Sequence, residues 1–140
     1  MEYLLKTRQP VKLHGVDVRI MLPHKSDSLL TYWCSRSFVE ELLEAGVKVY
    51  WYQKGINHSK VIIVDGIVSS VGTANMDILS FEQNFEVSLI LYDRETTKKL
   101  AGDFLKDLQS SSEVVIQRWK FRSKREKAYE SVARLFAPVL

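Results

Sequence analysis

Residues 58–75 constrain the fold more tightly than any other stretch of the chain. Val61-Ile62-Ile63-Val64 is a β-branched apolar run, Asp65-Gly66 is a strong hairpin turn signal, and Ile67-Val68-Ser69-Ser70-Val71 is a second run of strand character. Two paired strands follow. Their outer ends carry polar residues: His58 and Lys60 ahead of the first run, Gly72, Thr73 and Asn75 after the second. The hairpin therefore brings both groups to one edge of a sheet. Six positions of this 18-residue window, H-x-K-x4-D with Gly72, Thr73 and Asn75, coincide by chance in a chain of this length on the order of once in several hundred thousand sequences. The window is therefore read as a site.

Its chemistry is that of phosphate. An imidazole is a competent nucleophile near neutral pH, and attack by His58 on phosphorus gives a phosphohistidine that splits one hard displacement into two easier ones. Lys60 lies two residues on, so in an extended segment it projects from the same face as His58 and sets its ammonium beside the same phosphate. Asn75 offers an amide donor, and the Gly72-Thr73 turn lets backbone N–H groups and a hydroxyl approach the non-bridging oxygens. This clamp calls for no metal and no cofactor. Glu86 lies on the next strand-like run, Asn84 to Tyr92, where a carboxylate can accept a proton from the second ring nitrogen of His58 and fix its tautomer.

Around this window the chain alternates helix and strand. Val16 to Leu22 alternates in polarity and ends at Pro23, which suits a first strand; Ser28 to Ala45 has helical spacing closed by Gly46; Val47 to Tyr52 is a second strand. Arg94 to Gln109 reads as an amphipathic helix with Leu100, Ala101, Phe104, Leu105 and Leu108 on its apolar side. The fold expected is α/β, a mixed sheet covered by helices on both faces.

The segment HSKVIIVDGIVSSVGTANMDILSFEQNFE, His58 to Glu86, resembles the second HKD motif of the phospholipase D superfamily, and within it the bacterial cardiolipin synthases. The likeness continues upstream through SRSFVEELLEAGVKVYWYQKGINHSK and downstream through NFEVSLILYDRETTKKLAGDFLKDL, and covers roughly Val16 to Leu140. It implies a phospholipase D-like half that works with a second HKD half, one histidine attacking phosphorus and the other protonating the leaving alcohol. By position it implies that His58 is the catalytic histidine, that Lys60, Thr73 and Asn75 hold the phosphate, and that Glu86 orients the histidine. Asp65 completes the motif and is more often structural. The chain departs from the pattern at Leu79, where an arginine usually precedes the serine.

Composition bounds the rest. At 140 residues and 46% hydrophobic content the chain has the length of one domain, with residues 1–15 as a lead-in and 16–140 as the phospholipase D-like unit. Twenty basic against 17 acidic residues is mild, and argues against a nucleic-acid platform. Cys34 is the sole cysteine, so no disulfide forms within the chain, and its place in a helical run makes it a buried inert thiol. His14 and His24 lack partners at ligand spacing, so no zinc site is expected. Tyr50, Trp51 and Tyr52 are read as strand residues of the core.

The C-terminal segment, 113–140, contains six basic residues and two aromatics between Arg118 and Lys127. That composition suits the headgroup level of an anionic membrane, or equally a solvated helix with Trp119 and Phe121 packed inward. No run approaches the ~18 apolar residues of a membrane span. The chain is therefore expected to be part of a longer cardiolipin synthase at the cytoplasmic face of the bacterial membrane, acting on phosphatidylglycerol. Alternatives are a single-motif homodimer acting as a phosphodiesterase or nuclease, and an inactive fragment.

Overall fold

The computed structural model describes residues 15–26 and 28–140; His14 and most of the lead-in lie outside them. Six short strands form two three-stranded sheets. In the first, β1 (Arg19–Pro23) runs parallel to β2 (Lys48–Tyr52), from Arg19 opposite Lys48 to Pro23 opposite Tyr52, and β6 (Ser111–Glu113) pairs antiparallel with the other edge of β2. In the second, β3 (Lys60–Val64), β4 (Val68–Gly72) and β5 (Ser88–Leu91) form an antiparallel meander. The α/β class expected holds, but the strands do not join in one sheet. Both edges of β2 are already occupied, by β1 and β6, so the hairpin that follows does not pair with β2 and builds its own sheet.

The helical stretch expected from Ser28 to Ala45 begins as read, with the Ser28 hydroxyl accepting from the Thr31 N–H at 3.3 Å, but divides into α1 (Leu29–Ser37) and α2 (Val39–Glu44). The Ser37 hydroxyl donates to the Cys34 carbonyl at 2.6 Å, and the Phe38 N–H turns to Ser35. Competition of this kind with the i to i−4 ladder bends a helix. Gly46, at φ 89°, ends α2 in a Schellman motif, with Gly46 N–H on Leu43 and Val47 N–H on Leu42.

Between and behind the sheets lies α4 (Arg94–Leu108), which packs against β2, β3, β4 and β6. Its inward stripe runs Thr97, Ala101, Phe104, Leu108, one step rotated from the expected face, so that Leu105 is exposed. Thr97 is fully buried because its hydroxyl pairs with that of Ser69 on β4, 3.0 Å away. The main core lies over the first sheet: Val39, Leu42, Val47, Val49, Trp51, Val114 and Trp119. A second cluster joins Cys34 and Phe38 to Ala133. Burial pushes the Cys34 thiol up, against the charge of Arg134, as suits an inert thiol.

The chain ends in α5 (Ile116–Lys120), α6 (Lys124–Arg134) and a 3-10 turn (Ala137–Val139). Ser123 and Glu126 form a capping box at the start of α6. Buried Glu130 accepts from Arg36 at 3.2 Å and from Arg122 at 2.8 Å; Arg36 also reaches Glu126 and Arg122 also reaches Glu40. The two guanidinium groups lie 4.6 and 5.0 Å from the Trp119 ring centre. Trp119 is therefore a core residue, as the solvated-helix alternative expects. Phe121 is not, at 90% exposure.

Candidate active site

Strand register assembles the site. Lys60 lies opposite Gly72, and Gly72 opposite Ser88, so one row crosses the open end of the second sheet. Beyond that row the chain continues outward to His58, to Thr73 and Asn75, and back to Glu86. Five of the six pattern residues, all but Asp65, thus lie at one end because three strands stop at the same level. Gly72 is required there: a Cβ at this position would lie 2.8 Å from Ser88 Cα and closer still to the Val87 carbonyl oxygen, so β4 and β5 approach only with glycine.

His58 is exposed, on the loop entering β3. That loop is pinned at its preceding residue. Asn57 Oδ1 accepts the Ser59 N–H at 3.0 Å and the Ser59 hydroxyl, while its amide nitrogen approaches Met21 Sδ on β1 at 3.7 Å. Lys60 folds back over the same loop, its Nζ donating to the His58 carbonyl at 2.8 Å. The ammonium is therefore held beside the imidazole-bearing residue.

On the other side of the row, the Thr73 N–H donates to the Val87 carbonyl at 2.9 Å, the Val87 N–H donates to the Thr73 hydroxyl at 3.0 Å, and that hydroxyl donates to the Glu86 carboxylate. Hydrogen bonding from Thr73 first, then from Ser80 and Asn84, with the charge of Lys60 adding to it, holds Glu86 below the usual carboxylate range. Glu86 is ionised at neutral pH. Thr73 is foremost among its hydrogen-bond partners, and it lies ahead of β5 rather than within a strand from Asn84. Asn75 is fixed through its backbone: its N–H donates to the buried Ser80 hydroxyl at 3.1 Å, and Ser80 N–H in turn donates to Asp77, the N-cap of α3 (Ile78–Glu82), at 2.7 Å.

Asp65 is not in the cluster. It occupies the hairpin turn at the far end of β3, at φ 52°, followed by Gly66 at φ 65° and closed by Ile67 N–H on Val64 O at 2.9 Å. It is five residue steps along the strand from Lys60, roughly 16 Å. Leu79 lies in α3, half-buried. Asn57 and Ser80 escaped the sequence reading as supports, although each carries a local signal: Asn57 two residues before Ser59 for an Asx turn, and Asp77 three before Ser80 for an N-cap. Among the described residues no group of three or more His, Cys, Asp or Glu is placed to hold a metal, and no helix is long and apolar enough to cross a membrane.

Set against known proteins, residues 3–108 match the family described as cardiolipin synthase, PLD-like domain. The chain is 47% identical over 139 residues to a cardiolipin synthase of Geobacillus sp. (strain WCH70), covering 99% of this chain and 28% of that protein. It is 46% identical over 137 residues to cardiolipin synthase 2 of Bacillus anthracis, covering 98% of this chain and 27% of that protein. The chain spans a little over a quarter of the length of these relatives. Among solved structures, the phospholipase D family member Nuc from Salmonella typhimurium superposes with a TM-score of 0.61 at 18% identity, over 74% of this chain and 67% of that one. That likeness concerns the fold.

Proposed function

This chain belongs to the family of cardiolipin synthase, phospholipase D-like domains, and on that premise we propose that it supplies one half-site of a phosphatidyl transferase. A His58 ring nitrogen attacks the phosphorus of phosphatidylglycerol, the bond from phosphorus to the glycerol oxygen breaks, and the histidine of a second HKD half gives the leaving glycerol its proton. That histidine, now unprotonated, takes the proton from the hydroxyl of another phosphatidylglycerol, whose oxygen attacks the phosphohistidine; the bond from phosphorus to nitrogen breaks, releasing His58 and forming cardiolipin. Lys60, Thr73 and Asn75 hold the non-bridging oxygens, and Glu86 acts with Thr73 to keep the rim of the site in place. The second half comes from the rest of a longer chain or from a second copy of this one. The setting proposed is the cytoplasmic face of a bacterial membrane.

The observation that carries this reading is the common level at which β3, β4 and β5 end, which puts His58, Lys60, Thr73, Asn75 and Glu86 at one sheet edge. A second outcome is favoured by the exposure of His58: water reaching the phosphohistidine gives phosphatidic acid instead. Product analysis with phosphatidylglycerol separates the two, cardiolipin plus glycerol marking transfer and phosphatidic acid alone marking hydrolysis. His58→Ala is expected to abolish either. Lys60→Ala is expected to cost about 3 kcal/mol of transition-state stabilisation, and Lys60→Arg to fail as well, since a broad planar fork does not replace a compact point charge. Wild-type turnover in His58→Ala or Lys60→Ala contradicts the assignment.

A further inference from the structure

Helix α6 turns its two glutamates to the protein and leaves apolar Tyr129 and Val132 exposed beside Lys124, Arg125, Lys127 and Ser131. The packed side runs Glu126, Glu130, Ala133 and on to Ala137, with both glutamates taken up by Arg36 and Arg122. The outward side carries Tyr129, Val132, Leu135, Phe136 and Val139, exposed by 57, 58, 78, 45 and 67%. These positions fall at helical spacing and form one stripe. A surface helix normally has the reverse arrangement. Here the ion pairs with Arg36 and Arg122 hold the orientation, because turning the apolar stripe inward would strip a buried carboxylate of its partners.

Charge decides what the stripe faces. Glu126 and Glu130 are the only acidic residues of α6, and both are engaged within the protein, while Lys124 and Arg125 are exposed at its first turn. The outward surface carries an apolar stripe bordered by the exposed cations Lys124, Arg125 and Lys127, with no acidic residue from the helix. The 3-10 turn that continues the stripe packs against α3, the helix whose Ser80 holds Asn75. The face therefore runs up to the candidate active site. An apolar stripe with a cationic border fits the interface of an anionic bilayer, where the stripe lies at the acyl boundary and the cations at the headgroups.

We propose that α6 and the 3-10 turn form a docking face for an anionic phospholipid surface, which sets the open edge of the second sheet at headgroup level. The choice of occupant rests on the phosphatidylglycerol reading above. The test is co-sedimentation of the full chain with vesicles of phosphatidylglycerol or of phosphatidylcholine. Binding to phosphatidylglycerol vesicles is expected, with Val132→Glu/Leu135→Glu removing it and Lys124→Glu/Arg125→Glu weakening it about tenfold or more. Both double variants alter exposed positions, and acidic residues in the first turn suit the helix dipole, so circular dichroism should report an unchanged fold. Should the first pair fail to fold, Leu135→Asn alone makes the same test. His58→Ala should bind like wild type while losing turnover, so that wild-type turnover in a binding-competent His58→Ala contradicts the catalytic reading and leaves the docking face standing. Absence of binding, equal binding to phosphatidylcholine, wild-type binding by Val132→Glu/Leu135→Glu, or a dimer that Leu135→Asn disperses would each overturn the proposal.

Discussion

The hydroxyl of Thr73 donates to the carboxylate of Glu86 across the ends of β4 and β5, and the Val87 N–H returns a bond to the same hydroxyl. Thr73 is thereby the first cause of the lowered Glu86 pKa. For a depressed carboxylate, the stabilisation is present above the ordinary range and lost as pH falls through the lowered value. Thr73→Val keeps the shape and removes the hydroxyl, so the Glu86 titration should move up towards the ordinary carboxylate range when followed by carbon NMR. An unchanged Glu86 titration would show that the bond does not govern it.

Gly72→Ala forces a Cβ against Ser88 Cα and the Val87 carbonyl. Backbone cannot yield as a flexible side chain can, so the expected cost is about 2–3 kcal/mol in urea unfolding, on the scale of overpacking a tight contact. The same change separates Thr73 from Glu86, so turnover should fall as well. A variant of wild-type stability would mean that β4 and β5 part easily.

Asp65 carries no role at the sheet edge, since it lies at the opposite end of the hairpin in a turn where both central residues have positive φ, as type I′ geometry requires. Asp65→Asn, which tolerates that conformation, should keep stability and turnover near wild type. Asp65→Val should cost about 1–2 kcal/mol of stability, because a β-branched residue resists the left-handed region. A large loss of turnover in Asp65→Asn at unchanged stability would return Asp65 to the chemistry.

Glu130→Ala leaves two largely buried guanidinium groups short of a partner. The expected cost is about 3 kcal/mol, the lower end for breaking a buried pair, because Glu40 and Glu126 still engage Arg122 and Arg36. Acid acts on the same clamp. Glu40 is lowered chiefly by its bond from Arg122, and Glu126 chiefly by the Ser123 backbone; their contributions are complete above the ordinary carboxylate range and disappear as pH falls through the lowered values. Trp119 emission should therefore shift as pH falls below the ordinary carboxylate range. A flat emission profile through that range would contradict the clamp.

The hairpin and its rim were legible because they depend on local rules. Asp65-Gly66 sets the turn and the β-branched runs set the strands. The Ser28 cap and the Gly46 stop were legible for the same reason. What sequence could not supply was long-range pairing. One sheet was expected where two exist, because nothing local announces that Ser111–Glu113 takes the free edge of β2. Leu105 was assigned to the packed face of α4, but the buried hydroxyl pair of Ser69 and Thr97 rotates that face. The assignment of Glu86 to His58 rested on topology, and the foremost partner found is Thr73. The tail shows the same limit: Trp119 and Phe121 look alike in a basic segment, and distant partners, among them Arg36, more than 80 residues away in sequence, and Trp51, select which is buried.

The central claim, that the common end of β3, β4 and β5 is a phosphodiester half-site, is tested most directly by titrating the isotopically labelled chain with a short-chain phosphatidylglycerol below its micelle concentration and following the backbone amides. His58, Lys60, Thr73 and Asn75 are expected to shift together along one saturable curve while Asp65, at the far end of the hairpin, does not move. Shifts confined to other surfaces, or none at these four residues at saturating lipid, would contradict it.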